Sequence, residues 1–449
     1  MNFNKLQQLL NHHFPANSLR KRFVGGMMWV TAGSLCRQSV NFIIGIYVAR
    51  MIGIKDFGKL AVIQSTIYML AELGQAGVGF SATKYVASMR SIDSERTGRI
   101  IGFSLIFTLV CATLMGSSLY FFATVISKAV LPEQDISTEI RFASLWIIFE
   151  MINYLQIRVL NGFEAFSNTA AYNLSQAVLQ LPLAIWGAYY GGLTGTIIAF
   201  SLVSIISCIV GQVLLRKQCK QFNISITYHN VWQERGILKM SAMVGVCGIA
   251  MYATNWFVGI LLAKQPNGLV EFGMFNAASR FQSILLFIPK KIYDVTVPVL
   301  ANLQSEGNRL GFTKALMGAG LFTIVITSTG CLVLVFFAED LMQLYGAEFV
   351  VGAGILRIIA FGAIISAIWT VSTAGLWAAE KSNQMFSLDM IRGSLLLGLC
   401  LTGFAINAHD LALAYLYSYS FAIIPLFYAL FKLIKEPWVS KTIAASTIV

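Results

Sequence analysis

The sequence predicts an all-α polytopic membrane protein of about twelve transmembrane helices, built as two parallel six-helix repeats around a central cavity. Three observations predict it. Of the 449 residues, 57% are hydrophobic and 12% charged, whereas a soluble domain carries about 25% charged residues, so the chain lacks the polar surface to cover itself in water. Apolar stretches near the ~20 residues that cross a hydrocarbon core recur along the whole length. Finally, the chain repeats on itself at a constant offset.

In order, the spans read 24–49, 57–83, 100–123, 142–161, 169–190, 193–215, 237–263, 273–298, 314–337, 352–377, 388–406 and 410–432. They divide the chain into an N-terminal segment 1–23, an N-lobe 24–215, an inter-lobe linker 216–236, a C-lobe 237–432 and a tail 433–449. Met1–Phe23 is polar and basic, and the first apolar run is a full span, so no cleavable signal peptide is expected. The connectors are short and turn-like, as in Gly191-Gly192-Leu193-Thr194-Gly195 and Pro266-Asn267-Gly268. None is long enough to house an extramembrane catalytic domain.

Basic residues orient the spans. Arg20, Lys21 and Arg22, with the even-numbered connections (Arg90, Arg96 and Arg99; Arg216, Lys217 and Lys220; Arg309 and Lys314; Lys381), fall on one side. The opposite side has only Arg50, Lys55, Lys59, Lys128, Arg141 and Lys264, along with acidic stretches such as Glu133–Glu139. The positive-inside rule then places both termini in the cytoplasm. It also accounts for the net charge of +12 without nucleic acid as a partner.

Asn41, Gly45, Ile46 and Ala49, followed by Asp56-Phe57-Gly58, match Asn255, Gly259, Ile260 and Ala263, followed by Glu271-Phe272-Gly273. The offset of 214 becomes 215 after one inserted residue, and 215 also superposes Phe121-Phe122-Ala123 on Phe336-Phe337-Ala338 and Ser167-Asn168 on Ser382-Asn383. Six spans per copy is even, so both copies share one orientation and are related by an axis along the membrane normal. That is the parallel-repeat plan of a transporter, with a cavity between halves whose rocking gives alternating access.

Charges inside spans are costly and mark a cavity or a partner. Arg37 and Glu72 sit mid-span at similar depth on adjacent antiparallel helices, which predicts an ion pair, functional or purely structural. Glu150, Tyr154, Arg158 and Asn161 share one helix face and should point inward; Arg158 alternatively snorkels to the interface. In the eighth span Arg280, Phe287, Lys291 and Asp294 share a face, with Lys290 beside them and spaced to pair with Asp294. Pro289 and Pro298 should let this helix bend, and Lys290 and Lys291 alternatively snorkel. Arg357 belongs either to this basin or to the outer interface. The cations Arg37, Arg158, Arg280, Lys290 and Lys291 suit an anionic ligand group. Glu72, Glu150 and Asp294 are candidates for H+ or Na+ coupling, or simple counter-ions. Tyr68 and Trp146 are among several aromatics suited to sugar stacking or to plain packing.

No cofactor, metal site or enzyme activity is expected. The histidines His12, His13, His229 and His409 form no cluster, and no Walker loop occurs. The seven cysteines show no CxxC spacing and read as small core residues.

Ala49-Arg50-Met51-Ile52-Gly53 running into Asp56-Phe57-Gly58 resembles the first interhelical junction of polysaccharide exporters. Glu72-Leu73-Gly74, Thr83-Lys84-Tyr85-Val86-Ala87, Leu160-Asn161-Gly162-Phe163-Glu164, the stretch from Ile288-Pro289 to Val297-Pro298, and Tyr345-Gly346-Ala347-Glu348-Phe349 are similar to theirs too. The resemblance runs from about residue 24 to 430. It points to the multidrug, oligosaccharidyl-lipid and polysaccharide exporter superfamily, and within it to Wzx-type O-antigen flippases. It implies a V-shaped pair of MATE-like lobes in the bacterial inner membrane. It also implies transfer of an undecaprenyl-pyrophosphate-linked glycan between leaflets, coupled to an ion gradient and alongside other polysaccharide assembly proteins. Two alternatives stay open: a multidrug or cation antiporter of the same superfamily, and a membrane-embedded glycosyltransferase or polymerase. Within the repeat, Arg37, Glu72 and Glu150 align with Met251, Phe287 and Ile365. The scaffold is therefore expected to be pseudo-symmetric and the cavity charge lopsided.

Overall fold

The computed structural model describes residues 19–436 apart from Glu133, and side chains from Thr31 onward except those of Met243, Val244 and Cys247. Most of the N-terminal segment with His12 and His13, the side chains of Arg20, Lys21 and Arg22, and the tail beyond Glu436 lie outside the described residues. The architecture is all-α.

Helix α1 (Leu19–Gln75) carries the first span and most of the second, and bends sharply at Gly53 (φ 79°, ψ 167°), a conformation that only glycine adopts without strain. A left-handed step at Ala76 and Gly77 (φ 44° and 77°) separates it from α2 (Val78–Met89). The second span, expected as one helix, is therefore broken. Next come α3 (Ser94–Phe121), whose first turn is capped by the Asp93 carboxylate accepting from the Arg96 N–H at 2.8 Å, the short α4 (Ala123–Val130) and α5 (Ser137–Gly162). Helix α6 (Phe166–Gln221) holds the fifth and sixth spans and bends at Gly192.

The linker ends in a 3-10 turn (Val231–Gly236). It lies along the start of α3, where Arg96 and Arg99 reach the buried Glu234 at 3.3 and 3.7 Å. The second half comprises α7 (Ile237–Ala263), α8 (Gly268–Leu285), α9 (Phe287–Ser305), α10 (Arg309–Phe336) and the short α11 (Ala338–Gln343). A 3-10 turn (Ala347–Gly352) leads into α12 (Ala353–Ala378), α13 (Ser382–Leu401) and α14 (Ala408–Lys435).

The eighth span is interrupted at Leu286, between α8 and α9, rather than at a proline. The Pro289 ring conflicts with the carbonyl four residues earlier, on Leu285, and α8 ends there. Pro289 itself sits in the first turn of α9, where a missing N–H leaves no helical bond unmade. Pro298 lies inside α9 without ending it.

Seven described helices are individually long and apolar enough to cross a membrane, α6 among them. The arms of α1 and the α8–α9 pair are not in that set. They carry Arg37, Glu72, Arg280, Lys290 and Lys291, and a helix that lines an interior need not be apolar all round.

Packing is uneven between the two faces of the bundle. At the face of the α1 bend, one core joins both halves, with Ile44, Val48, Phe57 and Leu60 packed in the same cluster as Val258, Leu269, Phe272, Tyr345 and Phe349. Arg50 adds hydrogen bonds from Nε to the Leu344 carbonyl (2.6 Å) and from Nη2 to the Gln343 carbonyl (3.3 Å). Toward the face where the described chain begins and ends, each half has its own core, around Leu155, Val159 and Leu215 in the first and Phe312, Leu376 and Leu426 in the second. There the halves touch where α2 meets α7, with a Ser241–Ser81 hydroxyl bond of 2.8 Å. Arg37, Glu72, Glu150, Arg158 and Arg280 line the cavities left between these contacts.

Candidate functional site

A cavity of about 290 Å³ opens between α1, α5, α6 and α8. Arg37, Asn41, Gln64 and Tyr68 reach it from α1, Trp146 and Glu150 from α5, Gln176, Gln180 and Ser204 from α6, and Asn276, Ser279 and Arg280 from α8. Three of the residues singled out from sequence, Arg37, Glu150 and Arg280, thus share one site.

Each is held by neutral partners. Arg37 Nη1 donates to Asn173 Oδ1 at 3.3 Å, and Glu150 Oε2 accepts from the Ser204 hydroxyl at 3.1 Å. Arg280 Nη1 donates to the Asn41 carbonyl at 3.2 Å, and its guanidinium lies 5.4 Å from the Phe57 ring centroid. That seat exists because residue 45 is glycine: a Cβ there would stand 2.7 Å from Arg280 Nη1. Among the described residues neither arginine has a carboxylate within ion-pair distance. Two guanidiniums and one carboxylate leave the cavity cationic, and each arginine commits one of its five donors, to a neutral carbonyl oxygen. Tyr68 and Trp146 meet edge-on at 6.3 Å beside it.

A second cavity, about 500 Å³, lies between the halves. Glu72 of α1, Phe80 of α2, Tyr154 and Arg158 of α5, and Trp377, Asn383 and Asp389 of the second half line it. The expected Arg37–Glu72 ion pair does not form. The two residues point in different directions from α1, Arg37 into the first cavity and Glu72 into the second, against Gly248 of α7. The inward stripe on α5 is likewise split. Glu150 serves the first cavity, while Arg158 turns back onto its own helix, donating from Nη2 to the Tyr154 hydroxyl at 2.5 Å with its guanidinium 4.7 Å from that ring. Asn161 accepts from the Thr169 hydroxyl at 3.2 Å and serves helix packing.

The α9 group is not brought to either cavity. Lys291 Nζ pairs with Asp294 Oδ2 at 3.1 Å, one turn along the helix. The expected Lys290–Asp294 pair is not made, and Lys290 is exposed. Arg357 resolves to the outer edge, paired with Glu339 at 3.0 Å. The six described cysteines are free.

Sequence reading missed Asp389 and Arg392. They stand near the start of the eleventh span, where a charge reads as interfacial, yet Arg392 is 2% exposed. It also missed the amide lining of Gln64, Gln176, Gln180 and Asn276. Uncharged amides in an apolar run are a weak signal, visible only once helix faces are known.

Comparison with known proteins adds family and fold. Residues 23–304 match the family model described as polysaccharide biosynthesis protein. No curated protein matches the chain. Among solved structures, an inward-facing multidrug resistance MATE family transporter of the MOP superfamily aligns at TM-score 0.75 and 12% identity, covering 89% of this chain and 94% of its own. The lipid II flippase MurJ in an inward closed conformation aligns at TM-score 0.74 and 13% identity, covering 90% and 87%. A MOP superfamily transporter from Pyrococcus furiosus aligns at 0.70 and 15%, covering 93% and 96%. At these identities the likeness is one of fold.

Proposed function

Because this chain belongs to the polysaccharide biosynthesis protein family, we propose that it is a flippase for an undecaprenyl-pyrophosphate-linked oligosaccharide, an O-antigen or related repeat unit. It moves its substrate from the cytoplasmic to the periplasmic leaflet of a bacterial inner membrane, with both termini in the cytoplasm. The observation that carries the reading is the pair of arginines without carboxylate partners, Arg37 and Arg280, facing one amide-lined cavity from different halves.

Arginine forks bind the oxygens of a pyrophosphate bidentately, and a low-dielectric site strengthens that attraction. Gln64, Gln176, Gln180 and Asn276 offer both donors and acceptors to sugar hydroxyls, and Tyr68 and Trp146 offer ring faces. One cationic region beside a neutral polar one suits a ligand with one anionic end and a long uncharged part. Arg280 comes from the second half and Arg37 from the first, so a bound anion bridges the N-lobe (24–215) and C-lobe (237–432) and biases their rocking, with the linker 216–236 joining them. Glu150, beside the arginines, and Glu72 are the carboxylates placed to couple movement to H+ or Na+. Lys290, Lys291 and Asp294 lie outside this site and are left as an interfacial group.

A second reading, a multidrug or cation antiporter, is favoured by one observation: Glu72 and Asp389 face the larger cavity from opposite halves. Deleting the gene and restoring Arg37→Ala or Arg280→Ala variants separates the two. The flippase reading expects membrane insertion at wild-type levels, surface polysaccharide down by at least about tenfold, equivalent to ~1.4 kcal/mol of lost binding or more, and lipid-linked units held on the cytoplasmic side. Normal surface polysaccharide in the deletion strain, together with raised drug sensitivity, would overturn it in favour of the antiporter.

A further inference from the structure

We propose that the second half of the chain contains its own binding site for a small inorganic oxyanion, of the phosphate or sulfate kind, centred on Arg392. The site is a cavity of about 250 Å³ enclosed by α7, α8, α12, α13 and α14, all from that half. Its polar lining includes Asn255, Gln282, Ser366 and Tyr415.

Arg392 is 2% exposed, and its Nε has no hydrogen-bond partner. Nη2 meets only the Met251 thioether, at 2.8 Å, and sulfur of that kind is a weak acceptor. Nε–H and Nη2–H form the edge of the guanidinium that grips two oxygens of a tetrahedral anion; the first is unpartnered and the second meets only a weak acceptor, so an oxyanion on that edge is the better partner for both. The flat face of the group is covered by Tyr419, with the guanidinium carbon 4.6 Å from its ring centroid, so an anion engages the edge, displacing the Met251 thioether from it. No carboxylate among the described residues lies within ion-pair distance. Asp389, one turn earlier, is near enough to feel the Arg392 charge but makes no ion pair with it and lines the cavity between the halves. A buried charge without a directly paired counter-charge is disfavoured, and an anion on that edge supplies one. Tyr415 donates to Asn255 Oδ1 at 2.9 Å, which orients the Asn255 amide nitrogen as a further donor at the exposed rim.

The internal repeat carries the inference further. Met251 is the repeat counterpart of Arg37, and Asn255 that of Asn41. In the first half the cation stands on the first helix of the repeat and donates to Asn173 on the fifth. In the second half the thioether stands on the first helix and the cation comes from the fifth. The charge has changed helix while keeping its place, so each half holds an arginine pocket behind a repeated asparagine. Ser279 of α8 lines both cavities and forms their common wall.

The test uses purified full-length protein in phospholipid-free detergent and follows thermal unfolding as inorganic phosphate replaces gluconate at fixed ionic strength. Phosphate should raise Tm in the wild type and in an Arg37→Gln/Arg280→Gln double variant, while Arg392→Gln lowers apparent phosphate affinity by at least about tenfold. Should Arg392→Gln fail to fold, Met251→Glu places a carboxylate on the guanidinium edge and is expected to fold without responding to phosphate. An unchanged response in Arg392→Gln or Met251→Glu, a response lost with Arg37 and Arg280, or no response in the wild type would overturn the site. Stabilisation by chloride equal to that by phosphate, or by phosphatidylglycerol in place of free phosphate, would overturn the oxyanion assignment.

Discussion

Arg280 owes its position to the absence of a side chain at Gly45, where a Cβ would meet the guanidinium. Gly45→Leu should push the guanidinium off the Asn41 carbonyl at an overpacking cost of about 1–3 kcal/mol. Lowered Tm with loss of surface polysaccharide is the expected result. At this scale the sequence was partly legible. A charge in an apolar run must find an interior, and that reasoning brought Arg37, Glu150 and Arg280 to one cavity. It failed on partners, because position along a helix says nothing of direction around it: Arg37 and Glu72 enter different cavities. Arg392 escaped notice because one turn at a span end separates an interfacial arginine from a buried one.

At the level of elements, the sequence marks spans far better than breaks. Pro289 predicts a disturbance of the eighth span, and steric conflict with the Leu285 carbonyl sets it a turn earlier, at Leu286. The left-handed step at Ala76 and Gly77 carries no proline and depends on backbone packing against Ser241 and Gly245 of α7, a tertiary contact invisible in one dimension. The linker is likewise held by distant charges. Glu234 is buried between Arg96 and Arg99, and Glu234→Ala should release residues 222–230 from α3. A loss of about 1–3 kcal/mol is expected, read as faster limited proteolysis within the linker while the helices stay protected.

For the molecule as a whole, the repeat at 214–215 residues puts matched residues on corresponding helices: Asn41 on α1 and Asn255 on α7, Phe121 at the end of α3 and Phe336 at the end of α10, Ser167 at the start of α6 and Ser382 at the start of α13. The charge is less lopsided than the aligned positions suggest, because Arg392 restores to the second half the cation that Met251 lacks. The two faces differ in a way that bears on transport. One shared core, with Arg50 across it, closes the face of the α1 bend, while separate cores at the other face leave the halves freer to part. Arg50→Ala should weaken the closed face by about 1 kcal/mol, as expected for exposed charge-assisted bonds, measured as increased labelling of a cysteine placed at Gln343. Orientation has its own check. A cysteine at Asn267 should react with an impermeant maleimide added outside intact spheroplasts, above the wild-type background, and one at Asn308 should not; the reverse pattern would invert the topology.

Transport through a cationic cavity is tested most directly in proteoliposomes loaded with a labelled undecaprenyl-pyrophosphate-linked oligosaccharide, by following its transfer between leaflets. Wild-type protein should move the lipid at least about tenfold faster than the Arg37→Ala/Arg280→Ala double variant, a difference of ~1.4 kcal/mol in the barrier. Equal rates for the two proteins would contradict it.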